Sequence, residues 1–263
     1  MARSQALLNV LNLAKQEELP IEKQFLSDLK ASIEIQDEKN SRKPSQTYKP
    51  SSLHCIRNMF YQRSGAEAQS DRASSELIGI CESGTDRHER LQMAVQSMRD
   101  NNIDCEYVDV AEYVSTHDLP DIEIVSKQGM ETKLYHKKYI MSFLCDGIIR
   151  YKGKYYILEI KTETTNKFWD RQGVNPDHIL QGTAYSLAFG IDDVLFLYEC
   201  RNDCNKKAFM LHVTDGMRGD LQNKIYECEE CFQSNVIPPK PTDISKHACM
   251  YCNYSGRCKV DGD

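Results

Sequence analysis

Apolar residues are densest between Glu131 and Thr162, where Leu134-Tyr135, Phe143-Leu144-Cys145, Ile148-Ile149 and Tyr155-Tyr156-Ile157-Leu158 come as short runs between polar breaks. Tyr, Ile, Phe and Leu in such runs predict three short β-strands in a meander, with Lys152-Gly153-Lys154 as a hairpin turn. Two acids interrupt the pattern. Asp146 follows Phe143-Leu144-Cys145 and Glu159 follows Tyr155 to Leu158, each where a buried strand would carry another hydrophobe. Side chains alternate across a strand, so Glu159 and Lys161 share one face and Ile160 takes the other.

Helical spacing governs much of the rest. Leu7, Leu8 and Leu11, then Phe25, Leu26, Leu29 and Ile33 after Pro20, predict two amphipathic helices that form a cap or a docking element. The polar stretch Gln36 to Ser52, with Pro44 and Pro50, reads as a linker. The expected division is therefore a helical extension and linker over residues 1–50 and one larger domain over 51–263. Ser51 to Tyr61 starts like a capped helix with Cys55 in or just before its first turn. Gly84 to Leu91 opens a helix whose His88, Leu91, Val95 and Met98 lie on one face. Asn175-Pro176-Asp177 caps another, ending at Gly190, with Gln181 and Tyr185 one turn apart. Asp193 to Cys200 and Lys207 to Val213 read as strands, and Gly216 to Gln233 as a helix.

Composition narrows the class. The chain has 263 residues, 40% hydrophobic and 27% charged, enough for a sizeable core. A formal charge of −6 argues against a protein that coats nucleic acid indiscriminately. From Lys127 to Arg171, however, ten Lys and Arg face five Asp and Glu, a local +5 compatible with a positive groove or a lysine-guarded sheet edge. No membrane-length run, convincing signal peptide or phosphate-binding Gly-x-x-x-x-Gly-Lys-[Ser/Thr] occurs. Eleven cysteines without a secretory signal point to a reducing, cytoplasmic setting and to thiolate ligation rather than disulfides. Cys249, Cys252 and Cys258 form a C-x₂-C-x₅-C run that supplies three thiolates and needs a fourth ligand. A tetrahedral zinc, with His247 as an alternative ligand, and an iron–sulfur cluster both suit it. Cys228-Glu229-Glu230-Cys231 reads as structural, and Cys81, Cys105, Cys145, Cys200 and Cys204 are expected to pack or face solvent.

Asp146, Glu159 and Lys161 carry the candidate chemistry. Two carboxylates and an ammonium are costly to bury without a compensating cation, and carboxylate oxygens suit Mg²⁺ or Mn²⁺. A lone Glu-x-Lys would suit a surface hairpin pair, but the acid thirteen residues upstream changes that reading. With Asp146, then Glu159-Ile160-Lys161, a preceding helical His88 and a following Gln181-x-x-x-Tyr185 helix, the chain resembles the PD-(D/E)xK nuclease superfamily. Within it, the similarity is to the RecB-like exonucleases that carry an iron–sulfur cluster: the CRISPR-associated exonuclease family, related phage exonucleases and the AddB nuclease domain. It covers Cys55 to Cys258, with Cys145 in the place of the motif's proline.

The resemblance implies an α/β, restriction-endonuclease-like core, a central mixed sheet flanked by helices with a Cys-bound metal-cluster segment. It implies a metal-dependent DNA exonuclease acting on single strands or ends in recombination, replication or CRISPR adaptation. Asp146, Glu159, His88 and the Ile160 carbonyl would hold one or two Mg²⁺ or Mn²⁺ ions, and Lys161 would position the attacking water. Gln181 and Tyr185 would meet substrate or the lysine, and Glu131 would be a second-shell or second-metal acid. Cys55 would complete a [4Fe–4S] cluster with Cys249, Cys252 and Cys258. DNA is the implied partner, with a helicase, recombinase or CRISPR-adaptation protein or a second copy of the chain beside it, and no membrane. Two other classes compete: a catalytically weak DNA-end-binding subunit and a zinc-stapled interaction protein.

Overall fold

The computed structural model describes residues 20–40, 45–67, 74–242, 244, 246–250 and 252–262. The expected helix around Leu7 to Leu11 lies outside them. The chain divides into two compact units, Met1–Arg42 with Arg72–Ile80, and Lys43–Asp71 with Cys81–Asp263. In the first, helix α1 (Ile21–Asn40) extends beyond its expected end and buries none of its residues; Phe25, Leu26 and Leu29 are all exposed. Glu34 accepts from the Ser75 amide and Lys30 pairs with Glu76 at 2.5 Å.

The second unit holds the sheets. The segment expected to be a linker is anchored here: Tyr48 is fully buried, bridges to Met141, and bonds Glu229 through its hydroxyl at 2.5 Å. A 3₁₀ turn, Pro50–Ser52, leads to α2 (Ile56–Arg63), for which Cys55 is the N-cap residue. Helix α3 runs Ser75–Gln96, so it begins well before Gly84, which sits inside it with open space around its Cα. Strand β1 (Cys105–Val108) and α4 (Val110–Thr116) follow.

The apolar stretch from Glu131 forms four strands rather than three, divided between two sheets. β2 (Ile122–Gln128), β3 (Glu131–His136) and β4 (Met141–Cys145) make an antiparallel three-stranded sheet. β5 (Gly147–Tyr151) and β6 (Lys154–Glu163) belong to a five-stranded sheet. Asp146 is the single residue between β4 and β5. The β5–β6 turn is as expected: Lys152 and Gly153 both take positive φ, 50° and 79°, the mirror-image turn that a tight hairpin favours.

Helices α5 (Thr165–Asp170) and α6 (Pro176–Phe189) then cross over to β7 (Asp193–Cys200), which lies parallel to β6, and β8 (Lys206–His212) closes the edge in the order β1-β5-β6-β7-β8. The Asn175 side chain accepts from the Asp177 amide and Gly190 ends α6 at φ 69°, as the sequence predicts. Helix α7 (Asp215–Gln233) packs on α2, burying Leu221, Ile225 and Cys228 with Ile56, Met59 and Phe60. Short helices α8 (Lys246–Met250) and α9 (Ser255–Val260) carry Cys249 and Cys258, with Cys252 between them.

The result is the expected α/β architecture, a central mixed sheet flanked by helices. One face packs Ile160, Leu158, Leu195 and Leu197 against Leu91 and Val95 of α3, and the other packs Phe196 and Val194 with Ala184 and Ala188 of α6. Among the described residues, no helix is long and apolar enough to cross a membrane.

Candidate metal centre and active site

The centre forms where β6 outruns β5. The last pair of that ladder is Gly147 with Leu158, so the β5-side edge of β6 is open from Glu159 onward. Asp146 fills the gap, and its Oδ2 accepts the Ile160 amide at 2.7 Å in place of a strand partner. The Ile160 carbonyl leaves on the same edge, because a strand residue's N–H and C=O point the same way. Burial of Leu91 fixes the rotation of α3 and brings His88 Nδ1 to 3.0 Å from Asp146 Oδ1. From the other sheet, β3 starts with Glu131. One ligand atom each from His88, Glu131 and Asp146 lies within 4.8 Å of the others, a spacing that one cation can bridge.

Glu159 and Lys161 approach from the face under α6. Glu159 is 2% exposed; its Oε1 lies 2.5 Å from Lys161 Nζ and accepts from Gln181 Nε2 at 2.6 Å. Lys161 also donates to Gln181 Oε1 at 3.0 Å, so the Gln181 amide bridges the pair. Gln181 Nε2 reaches the Tyr185 hydroxyl at 2.9 Å, and that hydroxyl donates to the Leu144 carbonyl at 3.1 Å. Of the two residues expected to meet a phosphate or the lysine, both are buried; Gln181 meets the lysine and Glu159, and Tyr185 meets Gln181 instead. Two residues escaped sequence reasoning: Gln92 and Tyr107 donate to the Asp146 carbonyl at 2.7 and 2.5 Å. Gln92 follows His88 by four residues on one helix face, a signal that was readable; Tyr107 had none.

Electrostatics tie these groups together. Burial pushes Glu159 up to about 7 against the pull of Lys161, with the Asp146 charge adding to the rise. Burial also raises Glu131, helped by Asp146. For His88 and Lys161, burial works against the charged form, but Asp146 for the first and Glu159 for the second outweigh it and hold both above their ordinary values. Lys161 therefore keeps its proton. Nearby His178 is held down to about 3 by burial and by the Lys161 and Arg171 charges, so it is neutral.

Cys55, Cys249, Cys252 and Cys258 line one cavity of about 910 Å³ at the C-terminal end of the chain. Its polar groups face the sulfurs: Asn58 Nδ2 lies 3.3 Å and the Tyr254 amide 3.4 Å from Cys252 Sγ, and Arg57 lies 3.5 Å from Cys258 Sγ. Such donors suit thiolates. Among the described residues, no three cysteine sulfurs fall within 4.8 Å of one another. The His247 side chain lies outside the described residues, and buried Cys228 sits in the α2–α7 core and does not line this cavity.

No family model matches the chain, and no curated protein does. Among solved structures it is similar to SSO0001, 14% identical over 89% of this chain and 96% of that one, with a TM-score of 0.48. It is also similar to an alkaline exonuclease, LHK-Exo, from Laribacter hongkongensis, 11% identical over 73% of this chain and 90% of that one, with a TM-score of 0.45. The same exonuclease in complex with dAMP gives 12%, 72%, 89% and 0.42. These likenesses are too distant to carry a residue role across.

Proposed function

We propose that this chain is a divalent-metal-dependent deoxyribonuclease with a restriction-endonuclease-like core, an exonuclease that hydrolyses phosphodiester bonds of single-stranded DNA or DNA ends. The observation that carries the reading is the convergence of His88, Glu131 and Asp146 beside the buried Glu159–Lys161 pair. Exonuclease rather than endonuclease action rests on the resemblance to the RecB-like enzymes. His88, Glu131 and Asp146 would hold a Mg²⁺ or Mn²⁺ ion, with Glu159 and the Ile160 carbonyl as further candidate ligands; the imidazole tilts the choice toward Mn²⁺. When bound, that ion would polarise the phosphoryl oxygens and acidify a water. Lys161, protonated and clamped by Glu159 and Gln181, acts as a fixed donor that orients the water and offsets charge on the phosphoryl oxygens. It is not the general base. Gln92 and Tyr107 fix the backbone of Asp146, and Tyr185 fixes Gln181.

The four cysteines fit a [4Fe–4S] cluster better than zinc. Tetrahedral zinc at about 2.3 Å from each thiolate sets the sulfurs about 3.8 Å apart, closer than any three of these lie to one another, whereas a cluster spans a wider space. Its ligands would be Cys55, Cys249, Cys252 and Cys258. A cytoplasmic setting and a helicase, recombinase or CRISPR-adaptation partner go with this reading.

Digestion of 5′- and 3′-labelled strands with Mg²⁺ or Mn²⁺ tests the proposal and gives the polarity. Wild type should shorten strands from one end only, and Glu159→Ala or Lys161→Ala, folded by circular dichroism, should leave them intact. Intact strands with folded wild type and both metals would leave the end-binding subunit as the better account; native-rate cleavage by Glu159→Ala would remove the site assignment.

A further inference from the structure

β6 runs through Thr164 straight into α5, and the one large apolar side chain α5 leaves outside is Trp169, 51% exposed and the only tryptophan in the chain. Its surroundings are fixed. Phe168, next to it, is buried in the core and meets the indole edge-on at 5.3 Å. At the helix start, Thr165 bonds Asn202 at 2.9 Å. At its end, Lys207 Nζ donates to the carbonyls of Phe168, Trp169 and Arg171 at 2.8, 3.1 and 3.0 Å, closing off the last turn. The same ammonium lies 5.5 Å from the Trp169 ring centre. An aromatic plane held on a pinned helix loses little freedom when something stacks on it.

Strand register places the lysine that contacts this plane. Lys161 is opposite Tyr198, and Tyr198 is opposite Lys207, so all three share the face that carries Glu159. Neighbouring strands are about 4.8 Å apart, which sets the Lys207 backbone about 10 Å from that of Lys161. That is about three base rises of 3.4 Å. Between them, the Arg171 guanidinium, paired with buried Glu163, lies 4.6 Å over the Tyr198 ring, and exposed Lys167 precedes Phe168. An exposed indole with the Lys207 ammonium at its ring and exposed Lys167 two residues away matches a polyanion with flat apolar faces better than an apolar protein surface.

We propose that Trp169 is a stacking platform for a base of single-stranded DNA, a few nucleotides from the bond cleaved at Lys161. The inference rests on the nuclease reading for what happens at that bond. Duplex bases are already stacked on one another, so the platform selects unpaired strands and sets the substrate class.

The full chain, without added divalent metal, is titrated with an oligothymidylate of about a dozen nucleotides and with a duplex of equal length. Indole emission reports the platform, and anisotropy of a labelled oligonucleotide reports affinity. The single strand should quench Trp169 saturably and the duplex should not. Trp169→Ala should weaken single-strand binding by roughly 5- to 150-fold, with Trp169→Phe in between. The inference is overturned by single-strand binding without an emission change, by equal affinity of wild type and Trp169→Ala, by no single-strand binding at all, or by a concentration-dependent emission shift without DNA that marks a second copy covering the indole. Metal-dependent cleavage is scored separately on the same preparations. Cleavage without quenching would sink the platform and spare the nuclease; quenching without cleavage would do the reverse.

Discussion

At the residue scale the site depends on groups that are buried, charged and shared. Gln181 is the clearest case, since one amide bonds both Glu159 and Lys161. Gln181→Ala leaves two buried charged groups each short of a partner, which should cost about 1–3 kcal/mol of stability and lower kcat more than it raises KM. Steady-state kinetics and denaturant melts check both; unchanged kcat would mean that the Lys161 position does not matter. Protonation gives a second test. Glu159 and His88 both titrate above their ordinary values, so each favours the folded metal-free protein at low pH and loses that contribution as pH rises through its folded value. Metal-free protein should therefore melt at falling temperature between about pH 5 and 8, and Mn²⁺ should bind more tightly across that range while releasing protons. A flat melting profile with proton-free Mn²⁺ binding would contradict this. The sequence named His88, Asp146, Glu159, Lys161, Gln181 and Tyr185 as one constellation, and the fold brings them together. It gave Glu131 only a supporting place, because a glutamate on a strand of another sheet has no periodic relation to the Glu159 strand.

At the scale of elements, the junction at Asp146 matters most. A one-residue link between sheets leaves the strand alternation unbroken, which is why three strands were expected where four exist. Nothing in the pattern of hydrophobes announces the change of sheet. The start of α3 was missed for a related reason: Gly79 and Gly84 look like breaks, yet both sit in the helix with open space around them. Gly147 is different. A β-carbon there would lie 2.7 Å from the Tyr107 ring, whose hydroxyl holds the Asp146 carbonyl. Gly147→Ala should displace Tyr107, cost about 1–3 kcal/mol and weaken Mn²⁺ binding, while Tyr107→Phe, which removes only the hydrogen bond, should do less. Calorimetric Mn²⁺ titration ranks the two; a harmless Gly147→Ala would mean the junction tolerates movement.

For the whole molecule, the proposed cysteine ligand set would link α2 to α9 across most of the sequence. A ligand cross-link of that length restricts the unfolded chain and adds bond energy only the folded arrangement collects. Cys55→Ser or Cys252→Ser should lose absorbance near roughly 400 nm, hold less iron and melt at least about 5 °C lower. Full iron content and unchanged melting in Cys55→Ser would take it out of the ligand set. Cys249, Cys252 and Cys258 were legible from spacing alone. Cys55 was not: its place came from the resemblance, and only folding brings α2 alongside the C-terminal helices.

The central claim is that one cation site, shared by His88, Glu131 and Asp146, drives DNA hydrolysis. Titrating Mn²⁺ into the protein while following both bound metal, by electron paramagnetic resonance, and the cleavage rate of a labelled strand tests it most directly. Occupancy and rate should rise with the same midpoint in wild type and disappear together in folded Asp146→Ala. Cleavage at the native rate by Asp146→Ala, or activity that is full before any Mn²⁺ is bound, would contradict the account.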